Sequence, residues 1–184
     1  MEILINSFLL VAATEMGDKT QLLALLLTVR FKKPWVILSG IVAATILNHL
    51  LAAYAGQWLS QQMSPMVLKW VLALVFFAFA AWVLIPDKEE EPKASGRWGA
   101  FLTTFVAFFI AEMGDKTQLS TVALAARYNH LVLVTLGTTL GMIVADGLAV
   151  FFGERLLKKM SMQHLRRIAA VLFVFFGVSL ILGF

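Results

Sequence analysis

Glu15-Met16-Gly17-Asp18-Lys19-Thr20-Gln21-Leu22 stands inside an apolar segment, and the same eight residues return unchanged as Glu112-Met113-Gly114-Asp115-Lys116-Thr117-Gln118-Leu119. Each copy places two acids and a lysine where the flanking chain is almost wholly apolar. Ionisable groups in membrane-length segments are rare and mark function. The offset between the copies is 97 residues, and sliding the whole chain by that amount, without gaps, extends the match. Gly40 pairs with Gly137, Gly56 with Gly153, Leu68 with Leu165, Lys69 with Arg166 and Phe76 with Phe173. A register held this far implies duplication of a unit, with residues 1–85 and 99–184 as its two copies and 86–98 as a cytoplasmic linker.

The chain surrounding the motifs is that of a membrane protein. Of its 184 residues 60% are hydrophobic and 14% charged, with a mean hydropathy of +0.86; soluble domains carry about 25% charged residues. Apolar stretches of membrane-spanning length predict six helices. They cover about 3–28, 35–59, 66–85, 99–126 and 131–153, and a last one ending at 184. The apolar runs are continuous rather than alternating, which excludes a transmembrane β-barrel. The first segment opens Met1-Glu2 without a basic n-region and carries a motif, so it is expected to stay as a permanent span. Cysteine is absent, which removes thiol catalysis, disulfides and thiolate ligation. The net charge of +4 is read as membrane orientation, not nucleic-acid binding.

Three helices per unit is an odd number, so the second unit enters the bilayer from the opposite side. The predicted fold is therefore all-α and polytopic, with two inverted three-helix repeats about an axis in the membrane plane. Loop charge sets the orientation. Arg30, Lys32, Lys33, Lys88, Lys93, Arg97, Arg155, Lys158, Lys159, Arg166 and Arg167 follow the first, third and fifth spans, against Lys69 and Arg127 on the other side. By the positive-inside rule both termini face away from the cytoplasm. The acid run Glu89–Glu91 then falls in the cytoplasmic linker as a solvated stretch.

If each motif is helical, Glu15 and Asp18 share a face, and Lys19 can pair with Glu15 four residues before it. Thr20 points elsewhere and can bond back to the Met16 carbonyl, while Gln21 flanks Asp18. The same holds for Glu112, Asp115, Lys116, Thr117 and Gln118. Gly17 and Gly114 either let the motif helices cross closely or loosen the helix so that backbone carbonyls become ligands. Six unpaired ionised groups at about 2.5–3.5 kcal/mol each would cost roughly 15–20 kcal/mol. Four carboxylates against two lysines leave a charge of −2, which one divalent cation or two protons would complete. An all-oxygen donor set suits a hard ion, Ca²⁺ or Mn²⁺, and Mg²⁺ less because it keeps its waters.

Two Glu-x-Gly-Asp-Lys-Thr motifs in a six-span chain of this size resemble the bacterial manganese exporters of the MneA type, whose eukaryotic relatives are Golgi Ca²⁺/Mn²⁺–proton exchangers. The resemblance covers the whole chain. It implies a secondary transporter of the bacterial inner membrane that exports Mn²⁺ in exchange for protons, with no cofactor and no nucleic-acid partner. Carried to the matching positions, it makes Glu15, Asp18, Glu112 and Asp115 the cation ligands. A carboxylate that must lose its proton to bind metal provides the coupling.

Several further positions are candidates. Met16 and Met113 adjoin the acids, and a thioether favours Mn²⁺ over Ca²⁺ on softness. Asn48 and His49 lie within the second span, and the 97-residue shift pairs His49 with Asp146. These three read as cavity wall or proton route, or as interhelical hydrogen bonds. Thr45, Thr138 and Thr139 are expected to bond to their own helix backbones, and the phenylalanines of the third and sixth spans to pack or face lipid. No zinc-protease, nucleophile-elbow or phosphate-loop pattern is present, which argues against an enzyme. A passive cation channel also fits the carboxylates, although channels usually take their symmetry from an oligomer.

Overall fold

The computed structural model describes residues 1–85, 98–157 and 161–183, and every regular element among them is helical. Eight helices follow in order: α1 Glu2–Glu15, α2 Lys19–Phe31, α3 Pro34–Gln62, α4 Pro65–Trp82, α5 Gly99–Glu112, α6 Lys116–Tyr128, α7 Leu131–Leu157 and α8 Met162–Leu182. The two segments expected as single spans over 3–28 and 99–126 are each broken into two helices, α1–α2 and α5–α6. The breaks fall at Gly17 and Gly114, whose φ values of 84° and 75° belong to the left-handed region that only glycine enters at little cost. The helix is thus loosened at each glycine, and the Glu15 and Glu112 carbonyls at the breaks accept the Asp18 and Asp115 N–H groups.

Among the described residues four apolar helices are long enough to cross a bilayer: Pro34–Gln62, Pro65–Trp82, Leu131–Gly153 and Gln163–Leu182. Their boundaries have local causes. Pro34 and Pro65 occupy first-turn positions, where the missing N–H is no loss. Ser64 caps α4 by accepting the Val67 N–H. α2 and α6 end on left-handed residues, Lys32 at φ 53° and Asn129 at φ 48°, again 97 apart. The fifth span, Leu131–Gly153, ends where expected, and α7 continues to Leu157 only across a non-helical kink at Gly153. The linker 86–98 lies outside the described residues except for Trp98, as do Lys158 and Lys159 of the expected basic loop.

The packing exchanges partners under the same shift. α1 lies on α7 as α5 lies on α3, and α2 touches α7 as α6 touches α3, while α4 packs on α8. At residue level, a Cβ on Gly40 would meet the Phe101 carbonyl at 3.0 Å and the Thr104 side chain at 2.9 Å. One on Gly137 would meet the Leu4 carbonyl at 2.6 Å and Ser7 at 2.8 Å. Leu4 and Ser7 are the counterparts of Phe101 and Thr104, so one close contact is built twice. Phe76 and Phe173, themselves counterparts, meet at 6.3 Å between ring centroids. Around them Phe79, Phe176, Leu72 and Leu124 form an apolar core. Phe175, Leu74 and Val171 stay exposed on the outside, so these phenylalanines divide between packing and the outer face.

Candidate metal centre

The motif sequence folds as a turn that joins two half-helices. After Glu15 the chain leaves the helix at Met16 (φ −64°, ψ 109°), turns at Gly17, and re-enters through Asp18 (φ −85°, ψ 171°). Met113, Gly114 and Asp115 repeat this path within about 10°. The Asp18 N–H donates to the Glu15 carbonyl at 3.0 Å, and Asp115 to Glu112 at 3.1 Å. Each glutamine then locks its own turn: Gln21 Oε1 accepts the Gly17 N–H and Gln118 Oε1 the Gly114 N–H, both at 2.7 Å. Gln21 also donates to the Ala145 carbonyl of α7. α2 and α6 thus begin at the breaks, with the positive ends of their dipoles beside the acids.

At these breaks the two motifs meet. Glu15, Glu112 and Asp115 are all buried, and one oxygen from each lies within 4.8 Å of the others. Two ionised carboxylates at that separation repel by about 3 kcal/mol at an effective dielectric near 20. Glu15 is held from both sides: Thr20 of its own motif donates to Oε2 at 2.7 Å, and Thr117 of the other motif donates to Oε1. Lys19 crosses between the motifs to pair with Asp115 Oδ1 at 3.2 Å. Both Glu112 oxygens and Asp115 Oδ2 have no hydrogen-bond partner. Three carboxylates against one ammonium leave two negative charges and three open oxygens, a donor set suited to one hard divalent cation.

Three expectations drawn from an unbroken helix are corrected. Lys19 pairs with Asp115 rather than Glu15, because the break moves it off the Glu15 face. Thr20 donates to Glu15 rather than to the Met16 carbonyl. Gln21 secures the turn instead of flanking Asp18. Asp18 is half-buried and stands outside the group of three, although its counterpart Asp115 is within it. Lys116 is directed to the end of α4, 3.4 Å from the Ile85 carbonyl and 5.8 Å from the centre of the Trp82 ring. Met113 is exposed, and the Met16 thioether accepts from Gln21. Asn48 makes an interhelical bond to the Phe109 carbonyl at 3.1 Å, while His49 and Asp146 are buried without partners. Thr138 bonds back to Val134, but the Thr45 and Thr139 hydroxyls do not bond back.

The bridge from Thr117 to Glu15 had no place in the sequence reading, which turned the threonines away from the acids. The signal was the glycine between the acids, a poor mid-helix residue.

A doubled acidic turn that joins half-helices can be compared with known proteins. The sequence profile described as "Divalent cation/proton antiporter GDT1" matches residues 3–91 and 100–183. The chain belongs to the GDT1 family. It is 43% identical to a Vibrio cholerae protein named "Putative manganese exporter", over 97% of this chain and 90% of that one. It is 29% identical to a GDT1-like protein of Synechocystis, over 92% of each chain. Identity to GDT1-like protein 3 of Arabidopsis thaliana is also 29%, over 96% of this chain and 69% of that protein. No solved structure matches. The GDT1 family is one of membrane antiporters, and its description places divalent cations on the substrate side.

Proposed function

We propose that this GDT1-family protein exports Mn²⁺ from the bacterial cytoplasm in exchange for protons, through one carboxylate site shared by its two halves. The observation that carries the reading is the buried group of Glu15, Glu112 and Asp115, drawn from both motifs and two charges short of neutrality. In this reading α1–α2 and α5–α6 each cross the membrane as a broken span, giving six spans in two inverted repeats. Both termini face away from the cytoplasm. Asp18 joins the site when the repeats move, since Asp115 already occupies the equivalent place.

The residues act in a defined order. The cation enters from the cytoplasmic side, and Glu112, which has no hydrogen-bond partner to displace, receives it first. Glu15 keeps its orientation through Thr20 and Thr117 as it contributes an oxygen. Lys19 holds Asp115 in place and limits the site to a net charge of −2. Rocking of one repeat against the other exposes the site outward. Protons then occupy the carboxylates, the ion leaves, and the protonated carrier returns.

The same oxygen donors suit Ca²⁺, so Ca²⁺/H⁺ exchange is the second reading. Proteoliposomes containing the full chain test both by uptake of Mn²⁺, Ca²⁺ and Mg²⁺ with and without a pH gradient. Saturable Mn²⁺ flux that rises with the gradient and is lost in Glu112→Gln supports the proposal. Non-saturating flux indifferent to the gradient would mark a passive channel, and preferred Ca²⁺ flux the second reading.

A further inference from the structure

Asp146, in the middle of α7, has no task in this exchange. It is fully buried, and neither carboxylate oxygen has a hydrogen-bond partner. A carboxylate so placed is stabilised by a cation or by a proton. It lies outside the group formed by Glu15, Glu112 and Asp115. A lone carboxylate cannot supply the roughly six oxygens a hard divalent ion takes, whereas a proton needs one.

The rest of α7 indicates how a proton reaches it. Thr135, Thr139, Met142 and Asp146 recur at spacings of four, three and four, so they fall on a strip about 60° wide. All four are buried. Helical threonines ordinarily bond back to their own backbone, as Thr138 does to the Val134 carbonyl at 2.9 Å. The Thr135 and Thr139 hydroxyls instead have no partner. The strip covers about 16 Å, from near the Leu131 end of α7 to the acid. The counterparts on α3 are Leu38, Val42, Thr45 and His49, apolar toward their end. The polar strip is therefore not duplicated.

We propose that Asp146 binds one of the exchanged protons, beside those taken by the site carboxylates, and that it is loaded from the Leu131 end of α7 along Thr135 and Thr139. This rests on the exchange reading above. The step is a simple protonation: the carboxylate takes H⁺, forms one O–H bond and becomes neutral, and release reverses it. The elements packed on α7 carry Glu2 and Glu15 on α1, Lys19 and Arg30 on α2, His49 and Tyr54 on α3, and Lys116, Arg127 and Tyr128 on α6. Glu15, together with Glu112 on α5, interacts electrostatically with Asp146. A proton on Asp146 removes one negative charge from the surroundings of those ligands and so weakens their hold on the cation. By linkage, a bound cation weakens the proton equally.

The test uses the full chain in liposomes, with two readouts: exchange of isotopically labelled Mn²⁺ against unlabelled Mn²⁺ without a gradient, and net Mn²⁺ movement driven by a pH gradient. Asp146→Asn should leave Mn²⁺–Mn²⁺ exchange near wild type, which also shows that it folds, and reduce the gradient effect by about tenfold, within ordinary coupling strengths. Thr135→Val with Thr139→Val should slow the driven movement and spare the exchange. If Asp146→Asn keeps full gradient response, or loses the exchange as well, Asp146 is not a dedicated proton site and the inference falls. A wild-type protein indifferent to the gradient would instead overturn the exchange reading itself.

Discussion

Gly114 carries a constraint that no neighbouring side chain imposes: a Cβ there would meet nothing within 4 Å, yet its φ is 75°. Gly114→Ala should therefore destabilise the protein by about 1–2 kcal/mol through backbone strain alone, readable as a lower melting temperature in detergent. Thr117 is a different case, because its hydroxyl donates to Glu15 from the opposite motif. Thr117→Val should lower Mn²⁺ affinity about 10-fold or more, as loss of a group that orients a metal ligand does, with Mn²⁺ titration of the purified protein as the check. The acids and lysines of the site were legible in the sequence because charge in an apolar segment is conspicuous. Their pairings were not. A helix continued through Gly17 aims Lys19 at Glu15, and only the left-handed turn shows that it reaches Asp115.

Among the helices, the breaks are the feature that positions chemistry. Gln21 and Gln118 each close a turn through a glycine N–H, and Gln21 also ties α2 to α7 through the Ala145 carbonyl. Gln21→Leu should thus cost stability and transport together, whereas Gln118→Leu, with only its own turn to hold, should cost less stability. Comparing thermal unfolding with Mn²⁺ flux for the two variants measures this. Four long apolar helices could be read from hydropathy, two of them with a proline at the start, Pro34 and Pro65. The half-helices could not, since α1 with α2, and α5 with α6, total the length of one span and carry its hydrophobicity. Gly56 shows the opposite kind of constraint to Gly114. A Cβ there would lie 2.1 Å from the Val122 carbonyl, so Gly56→Ala must push α3 from α6 and should destabilise by at least about 1–3 kcal/mol, the usual cost of overpacking.

On the scale of the whole molecule, the duplication explains why the two acidic turns meet. The contacts of α1 with α7 and of α3 with α5 are counterparts, and so are the rings of Phe76 and Phe173 at the centre of the apolar core. The 97-residue register was visible in the chain, and with it the pairing of the motifs. What sequence could not supply is the departure from symmetry: Asp115 is buried in the site while Asp18 is only half-buried, and Glu112 is unpartnered while Glu15 is held by two threonines. Under the proposed exchange, this difference between the halves is what a carrier whose repeats move against each other would show in either of its states. Reporter fusions at the two termini should read the same side of the membrane if the repeats are inverted, and the non-cytoplasmic side if loop charge sets the orientation.

In the proposed exchanger the two motifs build one site. Equilibrium titration of the purified full chain with Mn²⁺ tests it most directly, comparing wild type with Glu15→Gln and Glu112→Gln. One ion per chain is expected in the wild type, with affinity lost in each single variant although each leaves the other motif intact. Two ions per chain, or a variant in which the untouched motif still binds with wild-type affinity, would contradict it.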